Sequence, residues 1–305
     1  MASEPFRQLP FEEVPERPRV AHRWAETTPS TVEIETPDLG RVSIAVRTFG
    51  AGPPLLLIHG VMWFNYTWRY VLESLGAKFS LVMPDLPGAG HSDKPDVYLG
   101  PDVLARAIIA IAKETGTYGV PAIGNSMGGY LSMRAALLDP HVFSRLVNAH
   151  SPGVPTGRMH ALRWAMKLLP SWTIFDRLIR RDIERWVHRQ VHYYDESLKS
   201  KEEHRELAAP LSSREGRRGF YRHLRDGLDA KEMARFVDKL RAGPFPIPLQ
   251  LVYADRDPVV PPVVGDRLRA LVPAAEFVQL DRASHFAHVD AADRFVAAVL
   301  SFLTS

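Results

Sequence analysis

The residues Gly124-Asn125-Ser126-Met127-Gly128 place one hydroxyl between small residues, with a further glycine at position 129. The pattern G-x-S-x-G fits a sharp strand-to-helix turn that exposes a serine Oγ. Such a turn forces the serine into an unusual backbone conformation, and flanking glycines leave room for it. The helix that follows aims its first N–H groups and its positive dipole end at the serine. A serine hydroxyl is a weak nucleophile and needs a general base, which in turn needs an orienting carboxylate. His285, in Asp281-Arg282-Ala283-Ser284-His285-Phe286, is the expected base, with nearby His288 as its competitor. Asp257, in Asp255-Arg256-Asp257-Pro258, is the expected carboxylate, with Asp255 as the alternative. Acyl chemistry also needs donors for an oxyanion. The backbone N–H of Met127, directly after the serine, supplies one. Val61, in the loop after His59-Gly60, is expected to supply the second. A near-repeat at Ala149-His150-Ser151-Pro152-Gly153 lacks the first glycine, and its glycine and prolines disfavour a continuing helix. Ser151 therefore reads as loop.

The elements that must hold these residues are legible as periodicity. Thr31 to Thr36 and Arg41 to Thr48 alternate as strands around a Pro-Asp-Leu-Gly turn. Pro54 to Ile58 and Phe79 to Met83 are short continuous apolar runs, as expected of strands buried on both faces of a parallel sheet. Tyr118 to Ile123, Phe143 to Ala149, Pro248 to Tyr253 and Glu276 to Leu280 are further strands. Helices are expected over Thr67 to Leu75, Asp102 to Lys113, Met127 to Leu138, Arg267 to Leu271 and Ala292 to Leu303. The order βαβα is interrupted by a stretch of helices, then resumes. Ser126, Asp257 and His285 all follow strand ends, where open α/β sheets gather their sites. The domain expectation is an N-terminal arm over 1–30, an α/β core over 31–152 and 244–305, and a helical cap over 153–243. The fold class is α/β, with a mostly parallel eight-stranded sheet and the cap inserted after strand 6.

Composition narrows the chemistry. With 46% apolar and 24% charged residues the chain reads as an ordinary globular protein. It has no cysteine, so disulfides, thiolate nucleophiles and cysteine-ligated zinc are excluded. No metal or cofactor is called for, and no nucleic-acid partner. The first thirty residues show no apolar leader and the chain no run fit to span a bilayer, so a cytoplasmic protein is expected. The arm is expected to lie on the body or be partly disordered. From Ser151 to Arg241 there are 20 Lys and Arg against 13 Asp and Glu, a balance of +7 within a total of +3. This basic cap suits an anionic substrate, a lipid surface or a solvated helical face. ALRWAMKLLPSW within it reads as an amphipathic lid helix or a membrane-surface face.

Together LLLIHG, YTWR at Tyr66 to Arg69, PDLPGAGHSDKP at Pro84 to Pro95, GNSMGG, DRDP at Asp255 to Pro258 and SHFAHV at Ser284 to Val289 resemble the α/β-hydrolase superfamily. The order Ser, Asp, His is that of the superfamily. YTWR and DLPGAGHSDKPD look like haloalkane dehalogenases and epoxide hydrolases. Those use an aspartate nucleophile where this chain has Ser126. Alkylating an aspartate gives an ester that water can open; alkylating a serine would give an ether with no such escape. Val61 also lacks a side-chain donor for halide. GNSMGG resembles the serine hydrolases that cleave C–C bonds of ring-fission products. Here Phe286 replaces their usual tryptophan, and Val61-Met62-Trp63-Phe64 replaces their glycine-rich loop. The resemblance thus implies a cap-bearing serine hydrolase acting on a small-molecule carboxylic ester. A C–C hydrolase of a vinylogous diketone acid is the alternative, and an idle hydrolase fold used for binding is a further one. Met62, Trp63, Phe64, Trp164, Trp172, Phe175 and Phe286 are the expected pocket lining.

Overall fold

The computed structural model describes residues 5–168 and 171–305. Eight strands form one sheet: β1 (Thr28–Thr36), β2 (Gly40–Phe49), β3 (Pro54–Ile58), β4 (Ser80–Pro84), β5 (Val120–Asn125), β6 (Phe143–Ala149), β7 (Leu249–Ala254) and β8 (Glu276–Leu280). Their spatial order is β1-β2-β4-β3-β5-β6-β7-β8. β1 and β2 are an antiparallel hairpin, β2 runs antiparallel to β4, and the six remaining strands are parallel. The core helices are α1 (Leu72–Gly76), α2 (Pro101–Glu114) and α3 (Met127–Leu138). The insert between β6 and β7 contains α4 (Gly157–Leu168), α5 (Ser171–Arg180), α6 (Ile183–Gln190), α7 (Lys201–Leu211), α8 (Arg214–Arg222) and α9 (Ala230–Arg241). The chain returns to the sheet and closes with α10 (Pro262–Leu271), α11 (Ala287–Asp290) and α12 (Ala292–Thr304).

The apolar runs become strands because each alternate residue finds a different helical layer. Leu55 and Leu57 of β3 join one hydrophobic cluster with Leu72, Leu75 and Phe295. Leu56 and Ile58 join the other, with Ile108, Leu131 and Leu268. The same division recurs in β7, where Val252 and Ala254 face one cluster and Leu251 and Tyr253 the other. A run of period two with both faces apolar is buried on both sides.

Several boundaries differ from the periodicity: β1 begins already at Thr28 and α10 at Pro262, and two further differences have a local cause. The helix expected over Thr67 to Leu75 is split into a 3-10 turn at Asn65–Trp68 and the short α1. Tyr66, Thr67, Trp68 and Arg69 are all buried, so this segment has no water-facing side for a continuous amphipathic helix to use. Strand β5 begins at Val120, and Tyr118 is exposed, its hydroxyl donating to Asp139. The positive φ of Gly119 (79°) separates that loop residue from the strand.

The arm, from residue 5 onward, lies on the insert. Gln8 Nε2 donates to the His188 carbonyl at 3.0 Å, and the Lys201 N–H to the Pro15 carbonyl at 2.8 Å. Phe11 stacks on His204, and Glu16 pairs with Lys201 and Arg205. Insert and core are joined by a buried ion pair, Arg69 to Glu203 at 2.5 Å, with the Tyr193 hydroxyl donating to the other carboxylate oxygen at 2.9 Å.

Candidate active site

The site is built from the ends of adjacent strands. Ser126 follows β5, His150 follows β6, Asp257 follows β7 and His285 follows β8, and these four strands are consecutive neighbours in the sheet. The ladder continues one step past the strands. The Ser126 N–H donates to the Ala149 carbonyl at 2.8 Å, His150 N–H to Val252 at 2.8 Å, and Asp255 N–H to Leu280 at 3.0 Å. The loops that carry these four candidate side chains are therefore held where they leave the sheet.

Ser126 has φ 52° and ψ −124°, a backbone state that side-chain-bearing residues avoid. It is forced there because its N–H still belongs to the sheet while its carbonyl already accepts the first helical bond, from Tyr130 N–H at 3.1 Å. The turn closes because a Cβ is missing at two points. A Cβ on Gly124 would meet the Gly129 Cα at 2.7 Å, and one on Gly128 would meet the Ile58 carbonyl at 2.5 Å and the His59 carbonyl still closer. The loop after β3 lies directly on the serine: a Cβ on Gly60 would be 3.0 Å from Ser126 Cβ. His59 fixes that loop, donating from Nδ1 to the Gly60 carbonyl at 2.8 Å and accepting at Nε2 from the Leu86 N–H at 2.9 Å. Val61 follows in this loop, and Met127 opens α3 with an N–H that has no acceptor within its own helix.

His285 Nδ1 donates to Asp257 Oδ2 at 2.7 Å, and both residues are buried. The other oxygen, Oδ1, accepts from the N–H groups of Val259 (2.7 Å) and Val260 (2.8 Å). Burial alone would raise the Asp257 pKa. The His285 ring and these backbone donors outweigh it and hold the carboxyl below its ordinary range. The competing residues are occupied elsewhere. His288 Nε2 bonds Thr67 Oγ1 at 2.6 Å and its ring lies on Trp68, and burial holds it well below the usual imidazole range. Among the described residues Asp255 accepts one long bond, from Ala283 N–H at 3.4 Å, and lies 3.9 Å from Arg256. Ser151 is buried in the loop after β6.

His150 was not singled out by its sequence, although it lies inside the quoted AHSPG. Its φ is 53°, and its ring is fully buried, centred 5.8 Å from that of His285. Nδ1 accepts from the Ala254 N–H at 3.3 Å and stands 3.7 Å from Asp257 Oδ2. Accepting at Nδ1 puts the ring proton on Nε2, which is buried with no partner among the described residues. Burial pushes its pKa down to about 3, against the opposing pull of Asp257. The signal that could have found it was position: it is the residue that ends a strand next to the serine's strand.

A cavity lies between the core and the insert. Met62, Trp63 and Phe64 line one side, with Leu211, Phe220 and His223 from the insert opposite. Trp63 packs on Phe286 at 5.1 Å, and Phe286 stands edge-on to His285 at 5.1 Å. Trp172 and Phe175 pack inside the insert against Tyr221. Trp164 departs from the expected lining. It is 57% exposed on the outer side of α4, because the inward side of that helix is taken by Met159 and by Arg163, which pairs with Asp229.

This fold and this edge of strand-end residues define an α/β-hydrolase. A family model described as "Alpha/beta hydrolase family" matches residues 55–298, and the chain belongs to that family. It is 26% identical over 285 residues to a 2-hydroxymuconate semialdehyde hydrolase of Pseudomonas sp. (strain CF600), covering 88% of this chain and 95% of the relative. It is also 26% identical over 254 residues to haloalkane dehalogenase 2 of Mycobacterium tuberculosis, covering 82% and 88%. Among solved structures it superposes on a thermophilic esterase from Thermogutta terrifontis with TM-score 0.72, covering 90% of this chain and 98% of that one at 20% identity. No helix among the described residues is long and apolar enough to cross a membrane.

Proposed function

We propose that the protein hydrolyses a small carboxylic ester through an acyl-enzyme on Ser126. The observation that carries this reading is the 2.7 Å bond from His285 Nδ1 to an Asp257 whose other oxygen is already saturated, at the same sheet edge as a conformationally forced serine. Asp257 keeps the ring proton on Nδ1, so Nε2 is free to take the Ser126 proton as Oγ attacks the carbonyl carbon. The N–H groups of Val61 and Met127 receive the charge that develops on the carbonyl oxygen. His285 then gives its proton to the leaving alcohol. It next draws a proton from water, which attacks the acyl carbon and frees the acid and Ser126. The chemistry uses side chains and backbone donors alone. Serine in place of aspartate opposes a dehalogenase reading despite the similarity to that relative, since an alkyl serine ether has no hydrolytic exit.

The 2-hydroxymuconate semialdehyde hydrolase relative supports a second reading, C–C bond hydrolysis with the same three residues. A panel of p-nitrophenyl esters of increasing acyl length, run beside a vinylogous diketone acid, separates the two. We expect ester turnover with a burst of p-nitrophenol, and none from Ser126→Ala. Turnover of the diketone acid alone would replace the ester reading. Turnover of neither by a folded protein would favour an idle binding fold.

A further inference from the structure

The outer side of the insert carries a feature that the proposed reaction does not use. Helices α4 and α5 adjoin, and each has one side committed to the protein. On α5, Ile179 is buried and Trp172 and Phe175 pack on Tyr221. On α4, Arg163 reaches Asp229 at 2.9 Å and Met159 packs on the core. The opposite sides expose Trp164 on α4 and, one turn apart, Ile174 and Leu178 on α5; Leu162, two positions before Trp164, is exposed on another side of α4. Three large apolar side chains, Trp164, Ile174 and Leu178, thus face water from two adjoining helices, more than single scattered exposure.

The charge on these two helices is mostly of one sign, and the next carboxylate, Asp182, caps α6 and pairs with Arg185 at 3.0 Å. From Gly157 to Arg181 the sequence carries six Lys and Arg and a single acidic residue, Asp176. That carboxylate is already engaged, by Arg217 at 2.7 Å and by Arg180 at 3.9 Å. Exposed Arg158, Arg177 and Arg181 thus flank the apolar side chains with no carboxylate from these two helices to neutralise them. A second copy of the chain would bring the same positive fringe against this one, and like charges oppose that pairing. An anionic lipid surface offers what both parts of the patch need: a headgroup layer for the arginines and an acyl boundary for Trp164 and the aliphatic side chains.

We propose that the outer face of α4 and α5 docks the protein peripherally on an anionic phospholipid bilayer. Neither helix spans it; the apolar side chains enter the headgroup–acyl boundary and the arginines meet lipid phosphates. This surface stands independently of which bond the site at the sheet edge cleaves.

Vesicle co-sedimentation of the full chain tests this, with vesicles of phosphatidylcholine alone and with phosphatidylglycerol added. The wild type should partition at least about tenfold more strongly onto the anionic vesicles, and high salt should reverse the gain. Arg177→Gln with Arg181→Gln should weaken anionic binding about 25-fold, at about fivefold per arginine. Trp164→Ser with Leu178→Ser should weaken it about tenfold or more while leaving thermal stability and hydrolysis of a short soluble ester unchanged. Brominated acyl chains should quench the wild-type tryptophan emission, and quench it far less in Trp164→Phe. Binding that is absent, indifferent to anionic lipid, or equal in wild type and both double variants overturns the proposal. So does a concentration-dependent dimer that the Trp164→Ser, Leu178→Ser variant dissolves, which would assign the face to a second copy.

Discussion

Acidification should unfold this protein through its buried histidines before any carboxylate pair titrates. His150, His204 and His223 are each at most 1% exposed. Burial pushes His150 and His204 down to about 3 and His223 to about 4, and it also holds His59 and His288 below the ordinary imidazole range. In the unfolded chain each takes up a proton near about pH 6.5. The unfolded state therefore binds more protons as pH falls below that value, and stability is lost with it. Between about pH 7 and about pH 5 each of His150, His204 and His223 contributes a loss of about 2 kcal/mol, or about 6 kcal/mol for the three, and His59 and His288 act in the same direction. Two buried carboxyls oppose this, Glu203 and Asp290, both raised by burial. Burial pushes Asp290 up to about 6, so the folded state takes its proton first on acidification and regains about 1 kcal/mol. The net loss of about 5 kcal/mol from these three rings and Asp290 compares with a usual total of about 5–15 kcal/mol. Urea unfolding at the two pH values measures the difference directly. A change under about 1 kcal/mol would refute the reasoning, because it would mean these rings accept protons inside the fold. Asp257 does not enter this window, since its lowered pKa makes its contribution vanish only at more acid pH.

Three further perturbations follow from particular contacts. Asp257→Asn should keep the fold but reverse the ring tautomer of His285, lowering kcat for the ester about 10⁴-fold with little change in KM, read by steady-state kinetics. Gly128→Ala would drive a Cβ into the Ile58 and His59 carbonyls. It should abolish ester turnover and destabilise by about 1–3 kcal/mol, seen together in thermal melts and rates. Arg69→Met strands a buried carboxylate at Glu203 and should cost about 3–5 kcal/mol, whereas adding Glu203→Gln should recover most of it in denaturant titrations.

The sheet was legible because its physics is local. LLLI between turn residues has few alternatives to a strand buried on both faces, and the alternating layers of β3 and β7 follow from that pattern. The elbow was legible for the same reason: glycine on both sides of a serine makes little sense in either a strand or a helix. The choice of His285 over His288, and of Asp257 over Asp255, rested on loop position relative to strands; in the structure His285 bonds Asp257 and His288 bonds Thr67. What was not legible depends on contacts between distant segments. The Thr67–Leu75 periodicity gave no sign that Arg69 would be buried against Glu203, 134 positions away, or that Thr67 would bond His288. Trp164 looked like lining because its type suits a pocket. Its outward direction depends on how Arg163 and Met159 anchor α4. His150 had no motif of its own and acquires its environment only through the order of the strands.

The central claim is that Ser126 is the reacting nucleophile, activated by His285. Treating the full protein with a fluorophosphonate and locating the adduct by peptide mass mapping tests it most directly. The account predicts one covalent adduct, on Ser126, lost in Ser126→Ala and slowed by several orders of magnitude in His285→Ala. An adduct on Ser151 or elsewhere, or equal labelling rates with and without the imidazole, would contradict it.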